Sequence, residues 1–216
     1  MTVSEAVQNL RASKKAHLDV WTYMMKGVFF PLDLLAAATL NRSLCLIAGF
    51  CTLIESKNIV AAAPLLRMQL DNCLRFSAAW LVEKPHEFAE RILEGVPIRR
   101  LKDRHGNLMT DKHLVETLAA EHPWIKPTYE KSSGYVHLSE KHFFNCMSVV
   151  SEKERIINLK ISDEDAFIPD IIYLEGIATF AEATKTVLQF AKRWAFTRNN
   201  PKPVAELTCP PKTLPA

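Results

Sequence analysis

Three charged residues in the first half of the chain could form an anion-binding wall. Arg67, Asp71 and Arg75 follow one another at intervals of four, so on a helix they would share one face. Arginine presents a planar fork that matches phosphate or carboxylate. The surrounding residues are almost all apolar, so these charges must be paired internally or line a cavity. The alternative is a purely structural salt-bridge strip.

A serine and a histidine further along the chain could meet across one helical turn. Ser133 and His137 lie four residues apart, and the imidazole of His137 is suited to proton transfer near neutral pH. A serine hydrolase would also need a nucleophile elbow and an orienting acid. We identify neither in the sequence. The alternative is a half-buried histidine that packs or caps where two helices meet.

Two groups of histidines and acidic residues lie close in sequence but do not have the spacing of known metal sites. His137, Glu140 and His142 are close in sequence, and His86 and Glu90 lie four apart. Neither group forms the HExxH pattern of zinc enzymes or the paired ExxH pattern of di-iron bundles. We therefore predict no metal and no other cofactor.

A basic cluster falls in a segment with turn residues, over positions 99–105. Such clusters are usually solvated surface, and no aromatic residues are interleaved to stack bases. Phosphate contact is the second interpretation, and the sequence does not decide the role of Arg99 to His105.

Length and composition set further bounds. The chain has 216 residues, which predicts one domain, and its 27 basic and 24 acidic residues give a net charge of only +3. That charge is too small to indicate nucleic acid or an acidic membrane as a partner. The longest apolar run, Leu44 to Ile54, is shorter than the roughly 20 residues that span a bilayer. Five cysteines without a CxxC pair argue against disulfides, and we predict a cytoplasmic protein without a membrane partner.

The periodicity of apolar residues predicts a helical protein that would position these groups. Asn58 and Thr110 or Asp111 are suited to cap helices, and Pro31 and Pro85 to begin them. Helices are predicted over residues 4–27, 32–57, 59–82, 86–95, 112–122 and, irregularly, 123–138.

The segment before the last helix has a different pattern. Ile157, Leu159 and Ile161 alternate with polar residues, and we predict a β-hairpin from Phe143–Val150 and Arg155–Ser162. A final helix from Pro169 to Phe196 carries a broad apolar stripe, which favours a homodimer through that helix. The predicted fold class is an all-α bundle of four to five main helices with this small hairpin. Residues 1–196 would form the domain, and 197–216 a Pro-rich extended or disordered tail.

Two stretches carry a resemblance to known proteins. AAAPLLRMQLDNCLRFSAAWLV with EFAERILEG, and LVETLAAEHPWIKPTYEKSSGYVHLSEKHFFN, resemble a widespread set of uncharacterised bacterial proteins. These share a central arginine-bearing helix and an S-G-Y-[VI]-H-x-S segment. The resemblance covers roughly residues 60–145, and it places Ser133, Tyr135 and His137 in the shared segment. More distantly, the chain resembles the HEPN superfamily.

The HEPN resemblance implies an all-helical bundle and, in many members, a metal-independent ribonuclease of toxin or phage-defence systems. Active members carry an arginine, four to six spacer residues and a histidine. Here Lys131 stands in place of that arginine before His137. The pairs Arg11–His17 and Arg99 or Arg100 with His105 also satisfy the spacing, which chance alone can supply.

Two principal hypotheses follow. In the first, a HEPN-like protein binds RNA or nucleotide phosphate: Arg67 and Arg75 hold phosphate, Asp71 fixes them, and His137 transfers protons with Lys131 beside it. Ser133 and Tyr135 are further candidate binding residues, and whether the protein is an enzyme stays open. In the second, the same residues are structural in a non-catalytic interaction or dimerisation module. An apolar pocket in which the arginines grip a carboxylate is a third alternative. Convergence of the arginines and the histidine on one open cleft would favour the first.

Overall fold

The computed structural model describes residues 1–25 and 27–200 of the chain. It is mostly helical, with a small antiparallel hairpin before the last helix, which confirms that part of the predicted fold class. Short 3₁₀ turns lie at Ala78–Trp80 and Ile98–Arg100. The other elements are α1 (Val3–Ala12), α2 (Lys14–Met24), α3 (Pro31–Glu55), α4 (Ile59–Ser77), α5 (Pro85–Leu93), α6 (Asp111–Ala119), α7 (Ile125–Val136), α8 (Glu140–Cys146), β1 (Met147–Ser151), β2 (Ile156–Leu159) and α9 (Asp170–Asn199).

Predicted helix starts agree with the structure where a cap encodes them. The Asn58 side chain accepts a hydrogen bond from the Ala61 amide, and Thr110 accepts one from the His113 amide. The first predicted helix, however, is two helices. Its break lies at Ser13, whose hydroxyl donates to the Leu10 carbonyl over 2.6 Å. Such a bond competes with the regular helical pattern.

The hairpin is shorter than predicted, because Phe143 to Cys146 belong to α8 rather than to the first strand. Ser139 is the residue before α8, and its backbone amide donates to the imidazole of His142. The strands then pair antiparallel, Met147 opposite Leu159, with an irregularity between Val149 and Ser151. Both faces of β2 are exposed.

The core is divided into two apolar clusters, and both contain residues of α3, α4 and α9. The apolar stripe of α9 is therefore buried within the chain, from Tyr173 to Ala195. The prediction of a dimer through the last helix was based on that stripe. Because the stripe is buried within the chain, it no longer supports the dimer, and dimerisation stays a prediction. Helix α9 also continues to Asn199, past the predicted end at Phe196. Residues 201–216 of the predicted tail lie outside the described residues.

Helix α3 agrees closely with the helix predicted over residues 32–57, and it extends well beyond the apolar run Leu44 to Ile54. It has 25 residues and a mean hydropathy of 1.6 in its most apolar window, so length and composition alone would let it cross a membrane. In the structure 44% of that window is buried inside the fold. Core helices and signal sequences share this composition, so the absence of a membrane partner stays a prediction.

A buried ion pair ties the start of α3 to the end of α9. Asp33 is 1% exposed, and one carboxylate oxygen accepts a hydrogen bond from the Trp194 indole N–H over 2.8 Å. The other accepts from Nε of Arg198 and from the Phe30 amide, both over 2.9 Å. One aspartate thus satisfies donors that lie far apart in the sequence.

The basic loop is held by its own residues. Arg104 donates to the carbonyls of Trp80, Leu81 and Val82, where the helical segment after α4 ends. These bonds satisfy carbonyls that lack helical partners, so Arg104 has a structural role. Arg99 and Arg100 are exposed.

Asp103 organises the same loop. Burial acts to raise the pKa of its carboxyl, but hydrogen bonds from Asn107, the His105 amide and His113 outweigh burial and lower that pKa to about 2. Because the folded pKa lies below the unfolded value, this group stabilises the fold above about pH 4. That contribution is lost as the pH falls from about 4 to about 2.

We therefore expect Asp103→Asn to reduce the acid dependence of stability. Urea unfolding at pH 5 and pH 2.5 measures it, and the variant should lose less stability than the wild type between these values. Asp19→Asn, on an exposed pair with Lys15, is the matched control. An unchanged acid dependence in Asp103→Asn would contradict the assignment.

Candidate functional site

An open cleft of about 390 Å³ lies between α3, α4 and α7. Helix α4 packs against both other helices and presents residues to the cleft at helical spacing. Met68 and Val136 at its edge are exposed to solvent. The lining residues are Arg42 from α3, Arg67, Met68 and Asp71 from α4, and Tyr129, Ser133, Val136 and His137 from α7 and its end.

Arg67 lies against an aromatic ring in this cleft. Its guanidinium carbon is 3.8 Å from the ring centroid of Tyr129, a cation–π arrangement. The Tyr129 hydroxyl donates to Asp111 over 3.0 Å, and Nη2 of Arg67 is 3.6 Å from the same carboxylate. Burial is the main cause of a raised Tyr129 pKa, with the Asp111 hydrogen bond adding to it and the Arg67 charge opposing it. The phenol donates to Asp111, and the face of its ring contacts the Arg67 side chain.

Asp71 links two arginines, but not the two that the sequence indicated. It accepts from Nε of Arg75 over 3.1 Å, as the spacing predicted. Its other oxygen accepts from Nη1 of Arg42 on α3, also over 3.1 Å. Arg67 instead pairs with Asp111, which Arg75 also contacts. The ladder along α4 is thus part of a network across α3, α4 and α6.

His137 stands at the mouth of the cleft, at the residue that ends α7. Its backbone is extended, with φ −116° and ψ 150°, and its side chain is exposed. The imidazole makes no hydrogen bond with the described residues. The Ser133 hydroxyl donates to the Tyr129 carbonyl over 2.9 Å rather than to His137. The ring of His137 is thus accessible to a ligand in the cleft.

Three of the predicted site residues do not line the cleft. Lys131 and Tyr135 lie two and six residues after Tyr129, which places them off its face of α7. Tyr135 instead lies near Lys141, whose ammonium is 4.6 Å from the ring centroid. Arg75 forms ion pairs with both Asp71 and Asp111 and does not itself line the cleft.

Sequence reasoning missed three residues of the site: Arg42, Tyr129 and Asp111. Arg42 interrupts a long apolar helix, and a charge there needs a partner, so its isolation was a usable signal. Tyr129 lies four residues before Ser133 and so shares its helical face. Asp111 was considered as a cap, and its first-turn position gave no indication that it pairs with α4.

The charges of the network do not cancel. Arg42, Arg67 and Arg75 face only Asp71 and Asp111 in these ion pairs, which leaves one positive charge in excess. An aromatic-backed guanidinium, a second arginine and an accessible imidazole around one cleft suit a phosphate-bearing ligand. Among the described residues, no group of three or more His, Cys, Asp or Glu is placed to hold a metal ion.

Comparison with known proteins finds no matching family, no matching curated protein and no matching solved structure. A function must therefore be argued from the residues of this chain.

Proposed function

We propose that the cleft binds the phosphate of RNA or of a nucleotide, in a HEPN-like helical protein. The observation that carries the proposal is the convergence of Arg42, Arg67 and His137 on one open cleft. A salt-bridge strip closed by other helices would have been the structural alternative. Here the network has excess positive charge, and its solvent side is open.

The same arrangement supports a more specific proposal, that the protein is a metal-independent ribonuclease. Arginine would stabilise charge on the phosphoryl oxygens, and histidine would move a proton to or from a ribose oxygen. The HEPN spacing places Lys131, rather than an arginine, before His137. Arg67 on α4 would instead supply the positive charge that stabilises the phosphoryl oxygens. His137 is the candidate catalytic residue because it lines the cleft with no other described partner.

RNA binding tests the proposal directly. A fluorescently labelled single-stranded RNA should bind, with an affinity that falls as salt rises. Arg67→Ala should weaken binding about 10- to 100-fold, since hydrogen bonds to charged groups contribute about 1.5–3 kcal/mol. Fluorescence anisotropy over a salt series measures both effects.

Arg99→Ala is the matched control, since it removes an exposed arginine outside the cleft. It should leave the affinity within about twofold of the wild type. A folded wild-type protein that shows no salt-dependent binding to RNA or to nucleotides would overturn the proposal.

A second candidate function is a non-catalytic interaction module, and exposed apolar side chains favour it. Phe143 and Phe144 of α8 are 61% and 62% exposed, and Val150, Ile157 and Leu159 of the hairpin are also exposed. A two-stranded hairpin alone is only marginally stable in water, and exposed apolar patches of this kind mark association surfaces. The hairpin leaves both outer strand edges without a partner in the described chain, which a second copy of this chain could cover.

Sedimentation of the purified protein tests this second function. If the surface joins two copies, the wild type should be a dimer, and Phe143→Ser with Phe144→Ser should convert it to a folded monomer. A wild-type monomer at micromolar concentration would exclude self-association through this surface. Leu93→Ser, at another exposed apolar residue, is the control and should not change the mass.

A further inference from the structure

A chain of buried polar side chains runs from the interior to the cleft. Asn72 donates from Nδ2 to Oε1 of Gln69 over 3.1 Å. Gln69 donates from Nε2 to the hydroxyls of Ser43 and Thr184, over 2.7 and 3.0 Å. His17 lies at the far end, with Nε2 2.9 Å from the Ser43 hydroxyl. Gln69 and Asn72 are 0% and 3% exposed, so water cannot substitute for these bonds.

The two ends of the chain fix the direction of its hydrogen bonds. Nδ1 of His17 faces the Ser13 carbonyl and must donate to it, so a neutral His17 accepts from the Ser43 hydroxyl. Burial lowers the pKa of His17, against a hydrogen bond to Ser13 that raises it, so the neutral ring is favoured. The hydroxyl of Thr184 is engaged in donating to the Phe180 carbonyl over 2.9 Å. Both hydroxyls can therefore only accept from Gln69.

These constraints set the orientation of Asn72. Because the Gln69 amide nitrogen faces two acceptors, its oxygen must face Asn72 and accept from it. The Asn72 oxygen then faces Arg42, whose Nη1 donates to it over 2.8 Å. A flipped Asn72 would place its amide hydrogens against the guanidinium and lose this bond.

Arg42 is held by its Nη1 alone. That nitrogen bonds Asn72 and Asp71, and Nε and Nη2 make no hydrogen bond with other described residues. A side chain that is 40% exposed would lose rotamer freedom on binding an anion. Anchoring Nη1 on two acceptors beforehand reduces that cost and leaves Nε and Nη2, with three N–H groups, for a ligand.

We propose that Asn72 is a positioning residue that orients Arg42 toward a phosphate in the cleft, with Gln69 fixing Asn72. The proposal rests on the proposed function, since it assigns how that cleft binds its ligand. It also means that a buried residue without contact to the ligand would contribute to its affinity.

A double-mutant cycle tests the coupling between Asn72 and Arg42. Arg42→Met should weaken binding of a labelled single-stranded RNA about tenfold and reduce the slope of log affinity against log salt by about 0.7, the value for one phosphate contact. Asn72→Leu should have most of the same effect on both quantities. The double variant should bind no more weakly than Arg42→Met alone, because Asn72 acts only through Arg42.

A merely structural role for Asn72 gives a different result. In that case Asn72→Leu would leave the salt slope unchanged, and its effect on affinity would add to that of Arg42→Met. Ile54→Val controls for general destabilisation, since Ile54 is buried in the other core cluster, and it should leave binding unchanged. Circular dichroism establishes that each variant is folded, and Asn72→Ala repeats the cycle with a smaller side chain.

The outcomes separate the two proposals. No binding by the wild type would refute the proposed function and this inference together. Binding that Arg42→Met weakens, combined with additive effects of Asn72→Leu, would refute the inference and leave the phosphate-binding cleft intact.

Discussion

Replacement of Asp33 by alanine should lower the free energy of unfolding by about 3–5 kcal/mol, the usual result of removing one partner from a buried ion pair. The side chain of Arg198 is 4% exposed and would keep its charge without the carboxylate. The Trp194 indole N–H and the Phe30 amide would lose their acceptor as well. The loss would fall on the contact between the two longest helices, α3 and α9.

Denaturant unfolding measures this effect, with Asp19→Ala as the control. Asp19 forms an exposed pair with Lys15, and such pairs contribute about 0–1 kcal/mol. Asp33→Asn should fall between the two, because its amide oxygen can still accept from one donor. A loss of less than about 1 kcal/mol in Asp33→Ala would contradict this expectation, because it would mean that the charge of Arg198 is rehydrated once the carboxylate is removed.

Asp33 also illustrates which structural features the sequence can predict. Its place beside Pro31 indicated the start of a helix, and that interpretation holds because caps and prolines act within one turn. Its pairing with Arg198 joins residues 165 positions apart. Nothing in the local pattern of either residue specifies the other, so the tie could not be predicted.

The candidate site divides in the same way. The four-residue spacing placed Arg75 next to Asp71, because that relation follows from helix geometry. The Ser133–His137 spacing predicted a contact across one helical turn, and that contact does not form. His137 lies beyond α7 with extended backbone, and Ser133 donates to Tyr129, although both residues line the cleft. That Arg42 replaces Arg67 beside Asp71 depends on how α3 crosses α4. The role of Asp111 depends on how α6 docks. Those contacts depend on how the helices pack against one another. The periodicity of apolar residues predicts only which face of each helix is buried.

The hairpin shows a third case, in which the predicted element exists but is shorter than the sequence pattern predicted. A strand was predicted from Phe143 as the partner of the alternating second strand, but Ser139 and His142 cap a helix over Glu140–Cys146. A capping interaction within three residues determined this segment, and the strand begins only after it ends. The boundary therefore depends on a local cap that the hairpin prediction did not include.

His137→Ala has the largest effect that we expect on activity. If the cleft cleaves RNA, loss of a proton-transferring side chain should reduce the cleavage rate about 10²- to 10⁴-fold. The stability should change by no more than about 0.5 kcal/mol, because His137 is exposed and has no hydrogen-bond partner among the described residues. RNA affinity should stay within about threefold, since Arg42 and Arg67 remain to hold the phosphate.

Cleavage of a labelled RNA in the presence of EDTA measures this effect, with His105→Ala as a control at an exposed histidine outside the cleft. Lys131→Ala distinguishes a site formed by the cleft residues from a site formed by the Lys131–His137 spacing. The geometry predicts near-normal cleavage, because Lys131 does not line the cleft, whereas the spacing within α7 predicts a loss. Cleavage that survives His137→Ala would remove His137 from the chemistry. Binding without any cleavage by the wild type would leave a phosphate-binding protein in which an accessible imidazole contacts the ligand without reacting.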